Sequence, residues 1–258
     1  MTLRVESLLG GRGGFRLGPV DAEAPEGTLV ALLGGNGSGK STLLLTIAGI
    51  LKAAAGTARW RGEDLQSLLP AARAARVALV PQRPVVECAF TVRECVELGR
   101  FALPRSPQAI RGALAACSLT GMEERLWHHL SEGQRQRVAL ARALAQHEEG
   151  GLLVLDEPFA AMDPASARRA LELVRGACRR GATALVATHD LALAASADQV
   201  WILSEGSLAA AGAVAQVLTP AVLEPLLGVR VVMVDGVAPH PAPVVAWSDA
   251  GPGGAAGR

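Results

Sequence analysis

The sequence predicts an α/β protein: a mostly parallel sheet with antiparallel β elements beside it and a helical subdomain inserted into it. Three observations predict that class. Short apolar runs without polar alternation recur along the chain, as in "TLVALLG" and "GLLVLDEP", and such runs suit strands buried on both faces of a parallel sheet. Helix-forming stretches separate them. A glycine-rich loop joins the first run to a helix, the strand-loop-helix order of an α/β unit.

Each element follows in order. Thr28 to Gly34 reads as the first buried strand, and "GGNGSGKST" (Gly34 to Thr42) turns it into a helix. "RVALVPQ" (Arg76 to Gln82) is a second strand. From Pro84 to Leu130 strand-like runs stop. There Thr91 with Glu94 makes a capping box, and Ser106-Pro107 is an N-cap followed by proline at the first helical position. Ser131 with Gln134 opens a further helix in the same way. Residues 84–146 therefore read as the helical insert of a single domain spanning 1–247. "GLLVLDEP" (Gly151 to Pro158) and "TALVATHD" (Thr183 to Asp190) are two more buried strands, with Asp163 capping the helix begun by Pro164. Gln199 to Gly212 reads as a hairpin turning at Glu205-Gly206. From Ser248 the chain is rich in Gly, Ala and Pro, and 248–258 is expected to be a disordered tail.

The composition sets limits. Half of the 258 residues are apolar and the formal charge is +1, which excludes a disordered chain and argues against a nucleic-acid partner. Tyrosine is absent and aromatics are 3%, a coding bias rather than a function. No apolar run reaches the ~18 uncharged residues of a membrane helix, and "MTLRVES" lacks the apolar core of a signal peptide. The expectation is a soluble, cytoplasmic protein whose membrane role, if any, goes through a partner. Cys88, Cys95, Cys117 and Cys178 show neither CxxC pairing nor a nearby His, so they are read as structural thiols.

The chemistry lies in a few short motifs. Gly34, Gly35, Asn36, Gly37, Ser38 and Gly39 form a phosphate-binding loop whose backbone N–H groups turn inward on a β-phosphate. Lys40 reaches the β- and γ-phosphates, Ser41 offers its hydroxyl to Mg²⁺, and Thr42 follows at the helix start. Asp156, ending a buried strand, is placed to hold the same metal, and Glu157 beside it is the general base for attacking water. Gln82 can reach the metal or that water. His189, ending another strand, is a γ-phosphate contact as a neutral imidazole. Asp163 caps its helix and is open to an added interface role. Ser131, Gly133 and Gln134 then pose a question, because a helix N-terminus is itself an anion site and the phosphate loop already supplies one.

Together, and in this order, GGNGSGKST, VPQ, LSEGQRQR, LVLDEP, AAMD and THD resemble the ATP-binding subunits of ABC transporters, over a match from Leu3 to about Trp247. The resemblance implies a P-loop ATPase core, ATP and Mg²⁺ as ligands, and a head-to-tail homodimer. In such a dimer Ser131, Gly133 and Gln134 bind the γ-phosphate of ATP held by the partner's P-loop. Glu132 stands where glycine is more usual. At ~6 Å from a γ-phosphate its carboxylate would cost up to ~3 kcal/mol at an effective dielectric of 20, but as the first helical residue it points outward and gains ~0.3–1 kcal/mol from the helix dipole. The aromatic that usually stacks on adenine near Gly11 is missing, with Phe15 or Arg12 as substitutes. "TVRECVELGRF", "VLTPAVLEPLLGVRVVMVDG" and "RLGPV" resemble the ATPases of iron-siderophore, haem and cobalamin importers. The resemblance thus implies permease partners, an extracytoplasmic binding protein and a place on the cytoplasmic face of the membrane. An exporter's ATPase is the alternative. A DNA-acting member is the more distant one, since about ninety residues separate P-loop from signature and no heptad array appears.

Overall fold

The computed structural model describes residues 2–146, 150–228, 230–234 and 242–246, so the tail expected from Ser248 lies outside the described residues. The chain opens with a hairpin, β1 (Thr2–Arg12) and β2 (Phe15–Pro25), turning at Gly13-Gly14 with φ of 57° and 87°. Two consecutive positive φ values match the twist of the flanking strands, and glycine adopts them without strain. There follow β3 (Leu29–Leu33), α1 (Lys40–Ile47), β4 (Ala55–Trp60), β5 (Glu63–Asp64), α2 (Pro70–Ala74) and β6 (Val77–Val80). The helical stretch holds α3 (Val92–Glu97), α4 (Pro107–Ala116) and α5 (Glu132–Gln146). The core resumes with β7 (Gly151–Asp156), α6 (Pro164–Arg179), β8 (Ala182–Ala187), α7 (Leu191–Ala195), β9 (Gln199–Ser204) and β10 (Ser207–Ala213). It ends with α8 (Val214–Val217), α9 (Pro220–Leu227), β11 (Arg230–Val234) and β12 (Ala242–Ala246).

Among the described residues the strands form three sheets: β2-β1-β4-β5, β10-β9-β3-β8-β7-β6, and β11-β12. In the central sheet β9, β3, β8, β7 and β6 run parallel and β10 alone turns back, at Glu205-Gly206, both with positive φ. The antiparallel first sheet is not read from the sequence. Glycines and register shifts along β1 break the alternation that would announce it.

The continuous apolar runs are explained by two cores, one on each face of the central sheet. Leu29, Ala31, Leu33, Leu153, Leu155, Ala184 and Val186 face the α3–α7 side. Val30, Leu32, Leu152, Val154, Leu185 and Ala187 face α1 and the first sheet, with Trp60 and Trp201. Strand side chains alternate between faces, so a strand covered on both must be apolar throughout. Each buried Leu or Val contributes ~1.5–3 kcal/mol.

The helical stretch is tied together by the caps its sequence signals. Thr91 and Glu94 form a capping box, and the Ser106 hydroxyl accepts from the Ala109 N–H. Residues 84–91 carry no helix; the first turn begins at Val92. Gly99, just beyond α3, lies so close to the Arg142 carbonyl of α5 that a Cβ would overlap it. Gly99→Ala should therefore overpack this contact by ~1–3 kcal/mol, lowering the melting temperature by ~2–4 °C per kcal/mol. Gly112, inside α4, has nothing within 4 Å of a Cβ. Gly112→Ala should raise stability by ~0.5–1 kcal/mol, so thermal denaturation of the pair should move in opposite directions.

Candidate nucleotide site

Four parallel strands deliver the candidate residues to one edge. Leu32 pairs with Ala187, Ala187 with Asp156, and Leu155 with Val80. The segments after β3, β8, β7 and β6 therefore leave the sheet side by side, carrying Gly34–Thr42, His189, Glu157 and Gln82. The carboxyl end of the strands is where open α/β sheets bind ligands.

The phosphate loop is held shut by its own backbone. Gly37 and Gly39 sit at φ 77° and 104°, in the left-handed region that glycine enters without strain. Gly39 is constrained twice, since a Cβ there would lie 2.7 Å from Phe15 Cζ. Lys40 is 7% exposed, and its Nζ donates to the Gly34 and Gly35 carbonyls at 2.8 and 3.0 Å. Gly35, Asn36 and Gly37 are exposed, while the buried Ser38 hydroxyl has no partner among the described residues. α1 begins with neither a side-chain cap nor an acidic residue in its first turn. Its leading N–H groups, those of Ser41 and Thr42 included, thus lack a side-chain acceptor, and an anion suits them.

The Ser41 hydroxyl sits beside the Asp156 carboxylate, close enough to favour its charged form. Burial pushes the Asp156 carboxyl above its ordinary range, opposed by that hydroxyl, reinforced by the neighbouring Glu157 charge and opposed again by Lys40. Among the described residues no three His, Cys, Asp or Glu side chains cluster as a metal cage. A hydroxyl and a carboxylate are the hard donors Mg²⁺ takes when phosphates complete its shell, so this pair fits an ion that arrives with a nucleotide.

Glu157 has φ 45°, a left-handed conformation costing a non-glycine residue of order 1–3 kcal/mol. Its N–H donates to the Ala187 carbonyl at 3.1 Å. This turn brings the 12% exposed Glu157 side chain to 3.4 Å from Nδ1 of His189, whose ring is 69% exposed. The pair borders a cleft of about 750 Å³ between α6 and α7. Gln82 reaches the same edge two residues beyond β6, but its side chain is exposed and among the described residues makes no hydrogen bond to Ser41 or Asp156. Its carbonyl accepts from Gln136 Nε2 at 2.9 Å.

The second candidate anion site stands apart from the first. Gln134 Oε1 accepts from the Ser131 N–H at 2.9 Å and Ser131 Oγ from the Gln134 N–H at 3.3 Å. Accepting leaves the Ser131 hydroxyl proton to donate elsewhere. Gly133 lies against the Ala161 carbonyl, which a Cβ would approach to 2.6 Å, and Glu132 is exposed. Among the described residues no hydrogen bond joins this turn to the phosphate loop. Asp163 caps α6 by accepting from the Ser166 N–H at 2.9 Å.

Of the two adenine candidates, Phe15 packs its ring on Gly39 and Gly206, whereas Arg12 is exposed beside the hairpin turn. The reading of the sequence missed Gln136 and the left-handed Glu157. A glutamine on the apolar face of α5, three and four residues before the buried Ala139 and Leu140, was the available signal for the first. Nothing local signals the second.

A glycine-rich loop and a strand-end Asp-Glu on one edge of a buried parallel sheet define a P-loop ATPase. The chain belongs to the ABC transporter family, whose model matches residues 17–160, and it is accordingly an ATP-hydrolysing subunit of that family. It is 40% identical over 248 residues to the hemin import ATP-binding protein HmuV of Pseudomonas entomophila, covering 93% of this chain and 96% of that one. A solved structure described as an inward-facing conformation of a metal-chelate type ABC transporter superposes with TM-score 0.76 at 27% identity, covering 95% of this chain and 97% of that one. A dimeric ATP-binding cassette in a post-hydrolysis state with ADP and Pi superposes with TM-score 0.74 at 25% identity, covering 83% and 98%.

The Asp156 environment makes a prediction. A carboxyl whose folded pKa is raised favours the fold fully below its unfolded pKa and loses that contribution as pH rises through the folded one. Asp156→Asn should therefore melt above wild type at pH 8 in metal-free buffer, and the gap should close as pH falls through the carboxylate range. The same variant should lose the extra melting-temperature rise that Mg²⁺ adds to ATP. Equal Mg²⁺ dependence in both proteins would remove Asp156 from the metal site.

Proposed function

We propose that the chain is the ATPase subunit of an importer of metal chelates of the haem, cobalamin or iron-siderophore class, working as a homodimer beneath a permease fed by an extracytoplasmic binding protein. The carrying observation is the convergence of Lys40, Ser41, Asp156, Glu157 and His189 on one strand edge, with a separate capped helix start at Ser131. One chain needs only one γ-phosphate site, so the second serves the nucleotide of a partner copy. The importer reading draws on the HmuV relative and the metal-chelate transporter. Peripheral attachment at the cytoplasmic face is part of it, since among the described residues no helix is long and apolar enough to cross a membrane.

In this mechanism Gly34–Thr42 wrap the phosphates, and Lys40 exchanges its two loop carbonyls for β- and γ-phosphate oxygens, a stronger charge-assisted pairing. Ser41 and Asp156 would hold Mg²⁺, with Gln82 joining from the third strand end; the ion supplies charge neutralisation on the phosphates. Glu157 takes the proton of the attacking water, aimed by its backbone and by His189, whose exposed ring is free to meet the γ-phosphate. Ser131, Gly133 and Gln134 bind that phosphate from the partner, and Phe15 offers the base an aromatic face. The exposed Val85, Leu98 and Phe101, beyond Gln82 on the helical subdomain, suit the permease contact.

Glu157→Gln should keep ATP binding, lose turnover and trap an ATP-bound dimer visible by size-exclusion chromatography; turnover within a few-fold of wild type would place the base elsewhere. For the dimer, Lys40→Ala and Ser131→Arg should each be nearly inactive. Mixed chains place both lesions in one site and leave the other intact, so ATP-dependent closure should return. Mixtures that exchange subunits yet close no better than either parent would refute the trans role. For the substrate, the chain should restore hemin-dependent growth to Pseudomonas entomophila lacking its hemin import ATPase, and Glu157→Gln should not. Stable, ATP-hydrolysing protein without rescue would count against hemin.

A further inference from the structure

α5 does more than present the Ser131 turn. Among the described residues β7 is the only ladder partner of β6, so the carbonyls on the outer side of β6 lack a strand to meet them. Arg76 bonds inward to Leu152, which sends the Val77 and Leu79 carbonyls outward by alternation. α5 closes that edge with side chains. Gln146 Nε2 donates to Val77 at 2.9 Å and also to Ala74, and Arg142 Nη2 approaches Leu79 at 3.4 Å. The last donor, Gln136, reaches past the strand to the Gln82 carbonyl.

Gln136 differs from the other two. It is 1% exposed and its buried Oε1 has no partner among the described residues, which use only half of its amide. A buried, half-satisfied amide is a poor choice for stability alone, where an apolar side chain of the same length would serve. It also lies five positions from Ser131 on the same helix.

We propose that Gln136 is a positioning residue for Gln82. Its N–H fixes the Gln82 backbone, and so the aim of the Gln82 side chain at the Ser41–Asp156 edge, while its spare Oε1 accepts from a Gln82 donor when the loop shifts. α5 then couples phosphate capture at Ser131 to Gln82 through one rigid helix. This rests on the proposed role of Gln82 in the ATPase site.

The test is a double-mutant cycle on purified full-length chain, reading kcat, KM for ATP, the Mg²⁺ concentration for half-maximal hydrolysis and the melting temperature. Gln136→Met, which keeps length and loses the donor, should lower kcat about tenfold and raise the Mg²⁺ requirement with little change in KM. Gln146→Met, which removes a sheet-edge cap away from the site, should lower the melting temperature and leave both kinetic readouts unchanged. In a Gln82→Ala background, Gln136→Met should add less than about a twofold effect, because residues acting as a unit are non-additive. If Gln136→Met does not fold, Gln136→Leu takes its place in the cycle; if neither folds, Gln136→His, which can still donate, must restore wild-type Mg²⁺ dependence or the proposal fails. Multiplying effects, or Gln136→Met kinetics matching Gln146→Met, would overturn the inference while leaving the role of Gln82 standing. Wild-type kinetics in Gln82→Ala would overturn both.

Discussion

The shared parallel register of β3, β8, β7 and β6 is the constraint on which everything else depends. Because these strands end together, four loops distant in sequence emerge as neighbours, and each contributes one kind of chemistry. The candidate phosphate donors follow β3, an imidazole follows β8, carboxylates end β7 and an amide follows β6. A slip of one residue in β7 would exchange its two apolar faces and turn Asp156 away from Ser41. The two cores prevent that slip, since every position of β7 is buried. Packing that looks merely structural thus holds the spacing of the candidate site.

The same constraint explains what the sequence made legible. Strands buried on both faces must be continuously apolar, so β3, β7 and β8 could be placed to within three residues at either end, and the residues at their ends followed. Caps were legible for a similar reason: Ser131, Asp163, Thr91 and Ser106 each satisfy a local N–H by a local side chain, and spacing alone reveals it. The first sheet was not legible, because β1 and β2 are half-exposed and bulged and their pairing is decided by the packing of Leu3, Leu8 and Val20 against α1 and Trp201. The Gln136–Gln82 contact spans 54 positions, and no local pattern encodes a contact of that reach. Glu157 in a left-handed turn was hidden too, since its strain is imposed by the Ala187 bond across the sheet.

α1 occupies an unusual position in this scheme. It is packed between the first sheet and the central one, so the N-terminus proposed to meet phosphate cannot shift without disturbing both. Ser131 begins a helix that belongs to the opposite core. The two candidate anion sites of one chain therefore pack against opposite faces of one sheet. A nucleotide bridging one chain's P-loop and another chain's signature would thus tie opposite faces of two such sheets together.

The distribution of sulfur in this fold has a practical consequence. Burial raises the thiols of Cys95, Cys117 and Cys178, to about 11, about 12 and about 12, and protonated thiols are poor nucleophiles. Cys88 is the exposed one of the four, and it lies between Gln82 and α3, on the segment that joins the catalytic edge to the helical subdomain. A maleimide dye applied to the native chain at neutral pH has one accessible sulfur to find. The fold carries its own attachment point for a fluorescent reporter, already placed on the segment whose movement is of interest.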